Sequence, residues 1–188
     1  LVRPATSAEA AALLALCAAS DLILVPQGAH TGLVLAGTPS DAARQVLLST
    51  ERMRECFELD LLDRTLRVSA GFKLSEINER LAPHGLWFPI DLSADPSIGG
   101  MLAHNTGGTR MLRHGDVRAN TLALQVALAE PAGQLLQLGR GLQKDNAGLA
   151  LQHLMIGSSG SLALVCEATL KLHPLPRQQA AVLVAPAS

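Results

Sequence analysis

The sequence predicts an α+β fold in two lobes, and three observations carry that prediction. The first 25 residues run strand, capped helix, strand, the order of a β-α-β unit. Further along, apolar segments alternate or run unbroken in the manner of strands. Finally, three Gly-rich loops stand where strands end or begin, at residues 26–33, 95–108 and 157–160.

Each element has its own signal. Residues 2–4 read as the end of an edge strand. Thr6 and Glu9 form a T-x-x-E capping box, with Glu9 placed to suit the helix dipole. The helix over 10–19 draws a broad apolar face from Leu13, Leu14, Leu16 and Cys17, and residues 22–25 make a buried strand. Residues 45–49 and 57–61 are strands, and in the next, over 65–70, Leu66 and Val68 alternate with Arg67 and Ser69. Residues 74–81 are an amphipathic helix, stopped by Pro83 and Gly85. The tract DPSIGGMLAHNTGG, 95–108, reads as an extended Gly-rich loop. A hairpin joins strands 121–129 and 134–138, a short helix covers 149–155, and a long strand covers 161–173. An apolar run over 180–184 reads as the start of another strand.

Composition excludes several classes. Of 188 residues 48% are hydrophobic and 16% charged, which is globular, and the net charge of −1 leaves no basic footprint for nucleic acid. Aromatics are 2% with no Tyr, so no stacking platform for bases is available. Cys17, Cys56 and Cys166 are far apart, and buried, reduced thiols are expected. No apolar run reaches the ~20 residues of a membrane helix. A cytoplasmic location, or a peripheral one at the inner membrane, is expected. The start at Leu1, inside what looks like a strand, reads as a fragment.

The loop PQGAHTGL follows a buried strand and presents backbone N–H groups to something anionic. Neither the G-x-x-x-x-G-K-[ST] phosphate loop nor G-x-G-x-x-G occurs in it. PQGAHTGL, DPSIGG, NTGG, RHGDVRAN, KDNAG and IGSSGSL, in that order, resemble the FAD-binding domain of the vanillyl-alcohol oxidase / p-cresol methylhydroxylase superfamily. The branch they most resemble is that of the D-2-hydroxyacid dehydrogenases, which holds D-lactate and D-2-hydroxyglutarate dehydrogenases and the glycolate oxidase flavin subunit.

The resemblance, which covers about residues 2–176, implies FAD as cofactor and places its binding residues. Gly28, Ala29, His30, Thr31, Gly32 and Leu33, after Pro26, match the loop that holds the FAD diphosphate. Pro96, Ser97, Ile98, Gly99 and Gly100 match the segment along the diphosphate and flavin. Asn105, Thr106, Gly107 and Gly108 match the stretch beside the ribityl and ring. His114, Gly115 and Arg118 match a stretch ending near the flavin pocket, and Gly160, Ser161 and Leu162 the loop at the adenine end. It further implies lobes over 1–71 and 72–176 meeting near Phe72, with the cofactor between them and 177–188 beginning a following segment. In this family the substrate-binding residues, and often a His-rich metal site, lie in a C-terminal domain absent here. No catalytic residue or metal ligand is therefore assigned.

The implied function is oxidation of a small 2-hydroxyacid, such as D-lactate, glycolate or D-2-hydroxyglutarate, by hydride transfer to flavin N5. An electron acceptor (quinone, cytochrome, electron-transfer flavoprotein or oxygen) is the implied partner, and a partner subunit stays open. Two alternatives stand: a sugar- or alditol-type oxidase of the same superfamily, and a non-catalytic FAD-binding subunit.

The sequence departs from the family pattern at three places. Ala29 stands where a second Gly is usual, which is costly if its φ is positive. His30 stands where the hydroxyacid branch has Asn; it reads either as a covalent flavin attachment or as a hydrogen-bonding loop residue. GSSGSLAL replaces a loop in which Glu, Thr and Gly are more usual. His104 reads as a packed residue ahead of a catalytic base, and Asp91 and Asp95 as turn and cap residues.

Overall fold

Thr6 opens the first helix as its spacing predicts. In the computed structural model, which describes residues 1–40, 43–178, 180 and 182–185, α1 spans Ser7–Ala19. Thr6 Oγ1 accepts the Glu9 N–H at 3.0 Å, and the Glu9 carboxylate accepts from Ala5 N–H at 2.7 Å. The box therefore closes one residue earlier than the usual reciprocal pair. Ala10, Ala11, Leu14 and Cys17 are the buried face, while Leu16 is exposed. Leu16 was counted with the apolar face, but the 3.6-residue period turns it away from Ala10, Leu14 and Cys17.

β1 (Ile23–Gln27) pairs in parallel with β2 (Gln45–Ser49), and Val2 bridges in parallel to Leu48 on the other side of β2. This is the β-α-β arrangement. β3 (Phe57–Asp60) and β4 (Thr65–Ser69) form a hairpin, followed by α2 (Leu74–Leu81) and β5 (Leu86–Trp87). Then come α3 (Ile98–His104), α4 (Met111–His114), β6 (Thr121–Leu128), β7 (Leu135–Leu138) and α5 (Gln152–Met155). β8 (Ala163–Lys171) and β9 (His173–Pro174) end the series. The main sheet is antiparallel in the order β3-β4-β8-β6-β7, so it takes in strands from both sides of the boundary drawn at residue 71.

The largest core packs Leu66, Val68, Leu124, Val126, Val165 and Leu170 of this sheet against α2, α3 and Phe88. A second core lies under α1, where Ala10, Ala11 and Leu14 meet Leu48, Ala127, Leu164 and Cys166. One strand serves both. In β8, Val165 faces Val126 and Glu167 faces Gln125, which leaves Cys166 as the extra residue of a bulge. Alternation restarts there, so Ala163 and Val165, then Ala168 and Leu170, all face the large core.

Five sequence expectations are corrected. The tract over 95–108 contains a helix, α3, although two glycines make it a poor helix former. Tertiary packing outweighs propensity there: Ile98, Met101 and Leu102 are fully buried, and Gly99 donates to Ala70 O at 2.9 Å. The helix expected over 149–155 is confined to Gln152–Met155, and the strand over 161–173 begins at Ala163. Ser69 is buried rather than half-exposed, because its hydroxyl accepts the Cys56 N–H at 3.0 Å. In the apolar run over 180–184, Ala181 lies outside the described residues and the others belong to no strand.

Phe72 is buried beside these elements with Arg54 and Arg80 stacked on its ring at 4.6 and 4.9 Å. All three cysteines are buried and unpaired, and burial pushes the Cys56 and Cys166 thiols up to about 11. No helix among the described residues is long and apolar enough to cross a membrane.

Candidate functional site

A cleft of about 470 Å³ opens where the end of β1, the start of α3, the 157–160 loop and β8 meet. Its floor depends on a close approach. A Cβ on Gly28 would collide with Ser97 Oγ, so glycine lets the loop after β1 sit on the first turn of α3 without displacing that hydroxyl. Ser97 is itself buried, and its hydroxyl accepts the Gly100 N–H at 3.4 Å to cap that helix.

The loop 28–33 holds its donors outward. Among the described residues, none of the N–H groups of Ala29, His30, Thr31, Gly32 and Leu33 donates to a protein acceptor. Unpaired successive amides form a concavity of positive potential suited to an anion. Ala29 is not among the residues with positive φ; His30 is, at 56°. The position that favours a special residue is thus His30, and Asn, usual there in the hydroxyacid branch, tolerates the left-handed region well, as His does. Gln27 Nε2 lies 2.8 Å from Gly37 O and 3.0 Å from His30 Nδ1. The carbonyl fixes the amide nitrogen as a donor, so His30 Nδ1 accepts and its Nε2 carries the proton.

Charge is nearly absent from the walls. Among the described residues, no Lys, Arg, Asp or Glu lines the cleft, and its ionisable side chains are His30 and His104. His104 was read as packed, but it is exposed on the wall, since Ile98, Met101 and Leu102 take the inward side of α3. Its Nδ1 is 3.4 Å from Ser159 Oγ.

Of the residues singled out from sequence, Pro26, Gly28 to Leu33, Pro96, Ser97, Gly99, Gly100, Thr106 and Gly160 come together on this lining. Ile98 turns into the core instead. Asn105, Gly107, Gly108, His114, Gly115, Ser161 and Leu162 also stand off the lining. Asn105 ends α3 in the left-handed conformation, donates to Asp116 Oδ2 at 2.9 Å and accepts the Arg118 N–H at 3.1 Å. Burial pushes the Asp116 carboxyl up, but bonds from Ala119 N–H and Asn105, with the Arg118 charge, outweigh it and hold it below the usual range. Arg118 donates to the carbonyls of His153 and Ile156 at 2.9 and 2.6 Å.

His114 packs edge-on to Trp87 and His173, with ring centroids 5.7 and 5.0 Å away. Asn120 is buried and joins this group: Nδ2 donates to His114 O and Asp116 O, and Oδ1 accepts from His173 Nε2, each at 2.8 Å. Burial, Arg113 and Arg110 lower the His114 pKa; burial, His114, Lys171 and Arg64 lower that of His173. Asp91 and Asp95 hold a turn and a helix start. Asp91 accepts from Thr109 Oγ1, and Asp95 from Ser75 N–H and Oγ.

Sequence reasoning missed the wall formed by residues 34–38 and by Thr50, Leu92, Ser93 and Ala94. One signal was available: Leu33, Val34 and Leu35 are three large apolar residues in a loop, and they are 97%, 78% and 66% exposed.

Residues 1–139 match the FAD binding domain family. The chain belongs to that family. The superfamily resemblance and the p-cresol methylhydroxylase type of fold read from the loops are borne out. This FAD-binding domain is 36% identical over 184 residues to D-2-hydroxyglutarate dehydrogenase of Xanthomonas citri pv. viticola, covering 97% of the chain and 38% of that protein. To D-lactate dehydrogenase of Archaeoglobus fulgidus it is 33% identical over 185 residues, covering 98% of the chain and 41% of that protein. A solved alkyldihydroxyacetonephosphate synthase shares the fold, with a TM-score of 0.82 at 23% identity over 94% of the chain and 32% of the synthase. The chain thus spans about two fifths of the length of the curated relatives. FAD is the cofactor of the family, and the residues present fit it: a cleft whose described lining carries no Lys, Arg, Asp or Glu has a row of unpaired amides at one wall.

Proposed function

We propose that this domain holds FAD in a flavin-dependent oxidoreductase acting on a small 2-hydroxyacid of the D-lactate, glycolate or D-2-hydroxyglutarate kind. The observation that carries the cofactor half is the row of unpaired amides over 29–33. In this reading those N–H groups, with Gly28 and the Pro96–Gly100 turn, bind the diphosphate without a cationic side chain, because oriented amide dipoles supply the potential. Of the later stretches, Thr106 and Gly160 are on the lining, Thr106 toward the flavin and Gly160 toward the adenine in this reading. Leu33, Val34 and Leu92 exclude water along the mouth. The substrate half rests on the two dehydrogenase relatives. When bound, FAD supplies a two-electron acceptor for the substrate hydride, to be passed on to a quinone, cytochrome, electron-transfer flavoprotein or oxygen.

The test is anaerobic mixing of the full-length protein with D- and L-2-hydroxyacids, followed by the absorbance of its oxidised flavin. Bleaching by D-2-hydroxyacids is expected. Bleaching by alditols or sugar lactones alone would move the protein to the second reading, a sugar- or alditol-type oxidase, which the place of His30 on the cleft wall favours. In that case the yellow colour should stay with the denatured chain through a covalent His30 link. No bleaching by any of them would leave a non-catalytic flavin-binding subunit.

A further inference from the structure

We propose that His104 is a side-chain contact for the anionic part of the cofactor, and that its charge state makes cofactor retention depend on pH. The inference rests on the FAD reading above. A diphosphate carries two negative charges, and among the described residues nothing on the lining is Lys, Arg, Asp or Glu. Apart from amide dipoles, the described residues of the lining can supply positive charge from two imidazoles.

The two rings are not equivalent. His30 gives its Nδ1 lone pair to Gln27 Nε2, whose orientation Gly37 O fixes, and an amide nitrogen only donates. A proton on His30 Nδ1 would forfeit that bond. His104 faces the Ser159 hydroxyl at 3.4 Å, and a hydroxyl donates or accepts as required. His104 can therefore charge and keep its partner. The charged groups behind this wall are committed elsewhere: the Asp116 carboxylate accepts from Asn105, the next residue along, and the Arg118 guanidinium donates to the carbonyls of His153 and Ile156. A charged imidazole at this point makes a charge-assisted bond to a phosphate oxygen, roughly twice as strong as a neutral one.

The experiment measures FAD dissociation constants of the full-length apoprotein by flavin fluorescence, between about pH 5.5 and about pH 8.5, a range that brackets imidazole titration. Wild type should bind FAD about tenfold more weakly at the upper end, and His104→Gln should bind with less than about twofold variation. Riboflavin, which lacks phosphate, should show no such trend in either protein. His104 is exposed, so the variant's melting profile should match wild type and rule out misfolding. FAD binding that is tight, pH-independent and indifferent to His104→Gln would overturn this proposal and leave the FAD reading intact. A wild-type protein that takes up no FAD at any pH would overturn both.

Discussion

The loop over 28–33 and the tract over 105–120 look alike in sequence, both small-residue-rich with an imidazole, yet they are opposite constructions. The first leaves a run of amides without partners and faces an open cleft. The second spends its polar groups on itself: Asn105, Asp116, Arg118, Asn120 and His173 close a network around buried Val117. A Gly-rich motif thus marks either a place where a ligand's atoms complete the hydrogen bonding or a corner where the chain completes its own. The difference lies in where the donors go, a count that residue types do not show.

The sharpest way to break the contrast is Gly28→Val. The added branch displaces Ser97 and closes the cleft, so FAD affinity should fall on the order of 100-fold, equivalent to about 2.7 kcal/mol, by fluorescence titration. Unchanged affinity would mean that the cleft beside Ser97 is not where the cofactor lies. Next is Asn120→Ala, which strands three buried or half-buried partners and should cost about 2 kcal/mol in urea unfolding. If it lowered FAD affinity without changing stability, the tract would belong with the first loop after all.

A smaller effect is expected from acid. His114 and His173 have folded-state pKa values below the ordinary imidazole value, so folding favours their neutral forms. Their contribution is complete above about pH 6.5 and is lost as pH falls below that toward the lower folded values. Trp87, the single tryptophan, touches His114 and reports the loss by fluorescence; His173→Gln should flatten that part of the profile. Gly32→Ala should do least. Open space surrounds that position and its φ is not positive, so stability should stay within about 0.5 kcal/mol.

What the sequence revealed follows from range. Thr6 and Glu9 act within one turn, so the start of α1 was readable, and the strands at 45–49 and 65–69 declared themselves by pattern. α3 was hidden because its helicity comes from Ile98, Met101 and Leu102 sinking into a core made by distant strands. The same packing turned His104 outward. The loop on the cleft wall could be located from PQGAHTGL, but its left-handed residue could not: Ala29 is the departure from Gly in the family pattern, while the positive φ belongs to His30. The pairing of β5 with β9 joins residues more than eighty positions apart and left no local trace.

The bulge at Cys166 has a consequence for how the domain comes apart. Around the bulge, Leu164 and Cys166 enter the core beneath α1 while Val165 and Ala168 enter that of the main sheet, so the two cores share one strand. With one strand common to both, chemical labelling of the buried Cys166 thiol should proceed at the rate of global opening. A one-residue deletion elsewhere in the strand would turn every later side chain to the other face, whereas loss of Cys166 itself would only remove the bulge. This domain should tolerate length changes in its loops and almost none in the middle of its longest strand.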